Sequence, residues 1–115
     1  MIVDVATFAP KYSGTALVAV TSTAATTQVQ ASGSSTVPTM KKLRIYNAGP
    51  NAAFIIGGNS SVATATVPTG GVGSLGEMPI APGSVEVFQM PVSHLSCVCK
   101  SGETATLYVT PGEGN

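Results

Sequence analysis

Charged residues are scarce in this chain. Lysine, arginine, aspartate and glutamate make up 9% of its 115 residues, whereas about a quarter is typical of soluble domains. Five basic and five acidic residues give a formal net charge of zero, so no overall field attracts nucleic acid or an anionic membrane. Since 43% of the residues are hydrophobic, the composition is the reverse of a disordered protein. We expect one folded domain with neither nucleic acid nor membrane as its partner.

Long apolar segments and secretory features are also missing. No uninterrupted apolar run approaches the roughly 20 residues of a membrane-spanning helix. The N-terminal residues 1–5 lack the basic and apolar regions of a signal peptide. Two cysteines cannot form the framework of a disulfide-stapled domain. We therefore expect synthesis without a secretory signal, in a reducing compartment.

Helical patterns are nearly absent, whereas short β-strand patterns recur between turns rich in Gly, Pro, Asn and Ser. This arrangement predicts an all-β, single-domain, antiparallel β-sandwich. Eight strands are predicted, at residues 16–21, 26–31, 42–47, 53–57, 62–67, 85–90, 95–100 and 104–110. Residues 1–13 are predicted to form an extended N-terminal arm, residues 14–111 the sandwich, and residues 112–115 a loose tail. The Gly- and Pro-rich residues 68–83 are expected to form a long loop or irregular crossing.

Alternation along the predicted strands defines the expected core. One strand face would hold Leu43 and Ile45, and another Leu107 and Val109. In the run 85–90 both faces are expected to be covered. The residues predicted to be buried are Leu43, Ile45, Phe54, Ile56, Val87, Leu107 and Val109.

Two patterns invite a ligand-binding interpretation, and each has a simpler explanation. Residues 71–76 match G-x-G-x-x-G, but Pro79 and Pro82 prevent the helix that a phosphate site would need, which favours a loop. His94, Cys97 and Cys99 contain zinc-ligand side chains. On a strand, however, the two cysteines share one face and His94 lies on the other. We interpret the cysteines as small buried core residues and expect no metal or cofactor.

An enzyme is not expected. His94 is the single histidine in the chain, and the acidic residues are scattered singly, so neither a nucleophile with its base nor a carboxylate pair is evident.

The candidate partner contacts are basic and aromatic residues. Lys41, Lys42 and Arg44 place three of the five basic residues within four positions. Lys42 and Arg44 alternate with the inward pair Leu43 and Ile45, so they should project outward, either to protect a sheet edge or to meet acidic groups. The full set of candidates is Phe8, Tyr12, Lys41, Lys42, Arg44, Tyr46 and Tyr108.

Residues 41–115 carry a resemblance to a known group. The segments 43–49 (LRIYNAG), 53–58 (AFIIGG), 79–88 (PIAPGSVEVF) and 105–114 (ATLYVTPGEG) are similar to those of small virion proteins of tailed bacteriophages. The resemblance implies a capsid decoration, or cement, protein with a jelly-roll-like sandwich. Such a protein would bind the major capsid protein on the outside of the shell and bridge its subunits.

Two functions therefore stand as expectations. The first is a structural virion protein on the capsid surface, acting as a homo-oligomer, either dimer or trimer, and made in the host cytoplasm. The alternative is a module of a tail fibre or spike that binds a host surface or a carbohydrate.

Overall fold

The computed structural model describes residues 8–31, 40–72 and 76–113. Within these ranges the protein consists of two antiparallel sheets and no helix, which confirms the predicted all-β sandwich. No described helix therefore has the length and apolarity that a membrane crossing requires. The strands are β1 (Ala9–Pro10), β2 (Ala16–Val20), β3 (Ala25–Gln28), β4 (Lys42–Pro50), β5 (Ala53–Gly58), β6 (Met78–Ile80), β7 (Val85–Gln89), β8 (His94–Val98) and β9 (Ala105–Glu113).

The five-stranded sheet is built around the two longest strands, β4 and β9. β1 and β2 pair with β9, and β7 pairs with β4 at the other side. The four-stranded sheet has the order β3-β8-β5-β6. The chain passes from one sheet to the other at most of its turns, so consecutive strands contribute to opposite layers of the sandwich.

The main core lies between the two sheets. Leu43, Ile45, Leu107 and Val109 are fully buried, as their alternation predicted, and Ile45 lies directly opposite Val109 in the β4–β9 pair. The four-stranded sheet contributes buried side chains to the same cluster, namely Ile55, Ile80, Leu95 and Cys97. Burying side chains of this size stabilises the fold by roughly 1.5–3 kcal/mol each.

The second face of the four-stranded sheet is covered as well. Residues 62–67, which were predicted to be a strand, form no sheet ladder and instead lie over this face. The backbone N–H of Ala65 donates to the Ser96 hydroxyl of β8 at 2.9 Å, and Ala65 packs with Phe54 and Val98 in a separate small cluster. The strand prediction is wrong because this backbone bonds to the Ser96 side chain and to the backbone of Glu77, and these bonds do not form a ladder with a neighbouring strand.

Two predictions of burial need correction. Val87 is 47% exposed and Val85 is 45% exposed, so the run 85–90 is not covered on both faces. In the pairing with β4, Phe88 lies beside the inward Leu43, which places Val87 beside the outward Arg44. Ile56 is half-buried and packs with Phe54 in the small cluster, outside the main core.

Strand pairing extends into the segments expected to be an arm and a tail. Ala9 pairs with Glu113, and Pro10 pairs with Gly112. A Cβ atom at Gly112 would lie 2.5 Å from the Ala9 carbonyl oxygen and 2.6 Å from the Phe8 ring, so this close approach requires glycine. The expected loop 68–83 includes strand β6. The predicted strand 26–31 corresponds to β3, which ends earlier, at Gln28. Residues 1–7, part of the G-x-G-x-x-G run and residues 114–115 lie outside the described residues.

One buried amide joins the two sheets. The Asn47 side chain on β4 is fully buried. Its Nδ2 donates to the carbonyl oxygens of Asn51 at 2.9 Å and Ile80 at 2.8 Å, and its Oδ1 accepts from the Gly49 N–H at 2.7 Å. Ile80 belongs to the four-stranded sheet, so this side chain fixes the end of β4 against the opposite layer.

Candidate protein-binding face

Exposed hydrophobic side chains cross the outer face of the five-stranded sheet. The strand registers align Leu17 of β2 with Tyr108 of β9, Tyr108 with Tyr46 of β4, and Tyr46 with Val85 of β7. Their exposed fractions are 58% for Leu17, 39% for Tyr108, 37% for Tyr46 and 45% for Val85. These four residues, which lie side by side on four adjacent strands, are termed the apolar row.

The row follows from the alternation that builds the core. On β2, Val18 and Val20 point inward, so Leu17 between Ala16 and Val18 points outward. On β9, the outward Tyr108 separates the buried Leu107 and Val109. Each row member is therefore held by a strand whose opposite face is anchored in the core, which gives the surface a fixed shape.

The two tyrosines form the centre of the row. Their ring centroids are 6.1 Å apart and the ring planes meet at 18°, a stacked arrangement across neighbouring strands. Cross-strand aromatic pairs of this kind stabilise a sheet by roughly 0.2–1 kcal/mol. Tyrosine combines a large apolar surface with a hydroxyl group, a combination that is enriched at protein interfaces.

Most of the predicted contact residues share this face. Arg44 is exposed and lies between Thr110 of β9 and Val87 of β7. Lys42 is half-buried and faces Gly112, over which the Phe8 ring packs. The structure thus brings Phe8, Lys42, Arg44, Tyr46 and Tyr108 together on the outer face of one sheet.

Two predicted contacts lie beside the face rather than on it. Lys41 is exposed and directly precedes β4. Tyr12 is 88% exposed and lies in the turn between β1 and β2, where the Gly14 N–H donates to the Lys11 carbonyl oxygen at 3.1 Å. β1 and β2 both pair with β9, and this turn interrupts the pairing between them. Interruptions of this kind, like β-bulges, redirect a side chain relative to the sheet.

Sequence reasoning missed three residues of this surface. Leu17, Val85 and Val87 are hydrophobic and were not among the candidates. The signal that could have found them is the presence of apolar residues on both sides of the strands, at 16–20 and at 85–88. Only the strand register shows which side remains open, and the register joins segments that are far apart in sequence.

The outer faces of the two sheets differ in whether another segment of the chain covers them. Residues 62–67 cover the four-stranded sheet, whereas no described segment covers the apolar row. Scattered exposed hydrophobic residues are ordinary in a monomer, but contiguous apolar patches mark interaction surfaces. The outer face of the five-stranded sheet is therefore the candidate binding site.

The cysteines occupy the core, as predicted. Cys97 and Cys99 are 2% and 1% exposed and are both free thiols. Burial, followed by the neighbouring Cys99, raises the pKa of the Cys97 thiol to about 12. Burial also raises the pKa of Cys99, with the charge of Glu103 as the second cause. Both thiols are therefore protonated at neutral pH, which suits packing rather than nucleophilic or metal-binding chemistry.

The histidine makes a local contact. His94 Nδ1 lies 2.7 Å from the hydroxyl of Ser93. Ser93 is itself buried, and the contact joins two consecutive residues. Among the residues that the structure describes, no three His, Cys, Asp or Glu side chains are grouped to hold a metal ion.

Comparison with known proteins gives no relative. No protein-family model, no curated protein and no solved structure matches this chain.

Proposed function

We propose that this chain is a structural protein of a bacteriophage particle, which binds the major capsid protein on the outside of the shell and bridges its subunits. The observation that carries the proposal is the apolar row, open to solvent on a sheet whose inner face packs into the main core. The choice of partner rests on the resemblance of segments within residues 41–115 to those of small phage virion proteins, and no family, protein or structure match adds to it. Binding to the assembled shell alone would stabilise it by mass action.

The row supplies a modest binding energy. Complete burial of a large apolar side chain is favourable by roughly 1.5–3 kcal/mol, so each half-exposed member can contribute about 1 kcal/mol more. Association itself costs at least about 4 kcal/mol, so the row alone gives weak attachment. A homo-oligomer, dimer or trimer, would bind through several rows at once and gain affinity from effective concentration.

The remaining parts of the proposal concern location and topology. We propose that the chain follows a jelly-roll-like path. We also propose that the protein is made in the host cytoplasm and ends on the capsid surface. No catalytic step is included, because the proposed role requires only a rigid surface and its partner.

The test is binding to phage particles assembled without this protein. In the double variant Leu17→Thr with Val85→Thr, the new residues still suit β-strands. The variant loses about 2 kcal/mol of binding free energy from apolar contacts, so its affinity, measured by co-sedimentation, should fall roughly thirtyfold. Met78→Thr is the matched control, because Met78 is 41% exposed on the other sheet. Equal binding by the double variant and the wild type would contradict the proposal.

A second candidate function is supported by the tyrosine pair. Exposed aromatic rings on a rigid sheet can also stack on sugars, which would suit a host-surface or carbohydrate-binding module of a tail fibre or spike. Imaging of labelled protein on intact particles separates the two functions. Label on the heads supports the capsid role, whereas label on the tails supports the alternative.

A further inference from the structure

Basic residues collect at one end of the five-stranded sheet. Lys42 and Arg44 lie opposite Gly112 and Thr110 near the end of β9. The Lys11 N–H donates to the Pro111 carbonyl oxygen at 2.9 Å, which places Lys11 at the same end. With Lys41 just before β4, four of the five basic residues of the chain lie here. The protein has no net charge, but this end of the sheet is locally basic.

On the described strands, the charged side chains of the outer face of this sheet are basic. Arg44 projects beside the apolar row, with Thr110 and Val87 as its lateral neighbours. Glu86 alternates with Val85 and Val87 and so belongs to the opposite face of β7. Glu113 likewise follows Val109 and Pro111 on the opposite face of β9. No acidic residue of the described strands therefore shares the outer face with Arg44.

We infer that this face binds a protein surface on which an apolar strip is flanked, on one side, by acidic side chains. The inference rests on the proposed function, since it specifies the chemistry of the partner at the same face. These four basic residues all lie on one side of the apolar row. The row could bind the partner in two opposite orientations, and the charges favour one of them. Charges placed in this way fix orientation and increase the association rate more than they increase affinity.

The same observations argue against two other occupants. The described strands on the outer face of a second copy would bring no carboxylate to Arg44 and would add their own cations, which disfavours face-to-face pairing. Nucleic acid needs a broad basic surface, whereas here Leu17, Val85 and Val87 occupy much of the face. An acidic protein surface with an apolar strip satisfies both the charge and the hydrophobic groups.

The test measures binding to the protein-deficient phage particles at low and at high salt. Arg44→Glu should weaken binding on the order of tenfold at low salt, with a smaller effect at high salt where charges are screened. Arg44→Gln should lie between this variant and the wild type. Lys100→Glu is the matched control, because it makes the same change of charge beside the hairpin that precedes β9; it should bind like the wild type at both salt concentrations.

The outcomes separate the inference from the proposed function. If the Leu17 and Val85 double variant loses binding while Arg44→Glu binds like the wild type at both salt concentrations, the acidic partner is refuted and the binding face stands. If both variants bind like the wild type, the proposed function fails too. Tighter binding to a short DNA duplex than to particles would overturn the inference. So would sedimentation showing a dimer that the Leu17 and Val85 changes abolish.

Discussion

Asn47 should be among the positions where a small chemical change is most damaging to this fold. Replacing it with leucine keeps a side chain of similar size but removes the amide. The carbonyls of Asn51 and Ile80 and the N–H of Gly49 would then lose their partner. An unsatisfied buried polar group costs about 1–3 kcal/mol. Because the backbone can relax and admit water, we expect a total loss of about 3–5 kcal/mol.

The assay is urea or thermal unfolding followed by circular dichroism, since the chain has no tryptophan. For a domain of this size, a loss of 3–5 kcal/mol corresponds to a decrease of about 12–20 °C in Tm. Asn51→Ala is the control, because Asn47 bonds to the backbone of Asn51 and not to its side chain. This control should lose less than about 1.5 kcal/mol.

Asn47→Asp gives a second test with a different readout. The new carboxylate would face two carbonyl oxygens at a buried site, and both effects raise its pKa in the folded protein. The folded state would then bind a proton more readily than the unfolded state, so the variant should gain stability relative to the wild type as pH falls from 7 towards 4. The reasoning would be refuted if the free energy of unfolding of Asn47→Leu were within 1 kcal/mol of that of the wild type. It would also be refuted if the stability of Asn47→Asp depended on pH in the same way as that of the wild type.

Two further predictions concern the core. Ile45→Ala should lower the free energy of unfolding by about 2–5 kcal/mol. Val87→Ala should lower it by less than about 1 kcal/mol, because the Val87 side chain is 47% exposed. Equal losses, measured by urea unfolding, would contradict the observed β4–β7 register. The pKa of Cys97 is raised from 9.0 to about 12, so the unfolded chain ionises first and stability should fall by roughly 4 kcal/mol between pH 9 and 12. Denaturation across this range should show a smaller alkaline loss for Cys97→Ala, and identical profiles would mean that the thiol is not held in its neutral form.

The best sequence predictions concern β4 and β9. Both strands keep a strict alternation over long runs, so the buried positions of Leu43, Ile45, Leu107 and Val109 could be read directly from the residue pattern. The outward direction of Arg44 followed from the same pattern. The same pattern did not predict burial correctly on β7, because β7 is an edge strand with hydrophobic residues on both faces. In such a strand, pairing with β4 and not local pattern decides which residues are buried.

The missed elements were too short or were paired in an unusual way. β1 and β6 have two and three residues, which is too few for any alternation to be visible. Residues 62–67 have the composition of a strand, but their backbone bonds to the Ser96 side chain and to residue 77. The candidate face could be predicted in part only, because Tyr46 and Tyr108 become neighbours through a long-range register that local pattern does not contain.

The composition of the outer face supports the proposal that a partner covers it. Threonine favours β-strands about as well as valine does, and the same face uses Thr106 and Thr110 on β9, where Thr110 also bonds to Thr15 at 2.8 Å. The strands therefore do not need hydrophobic residues at the outward positions of β2 and β7. Leu17 and Val85 nevertheless flank the tyrosine pair on both sides. Strand formation does not account for this choice of residues, whereas the proposed burial against a partner would account for it.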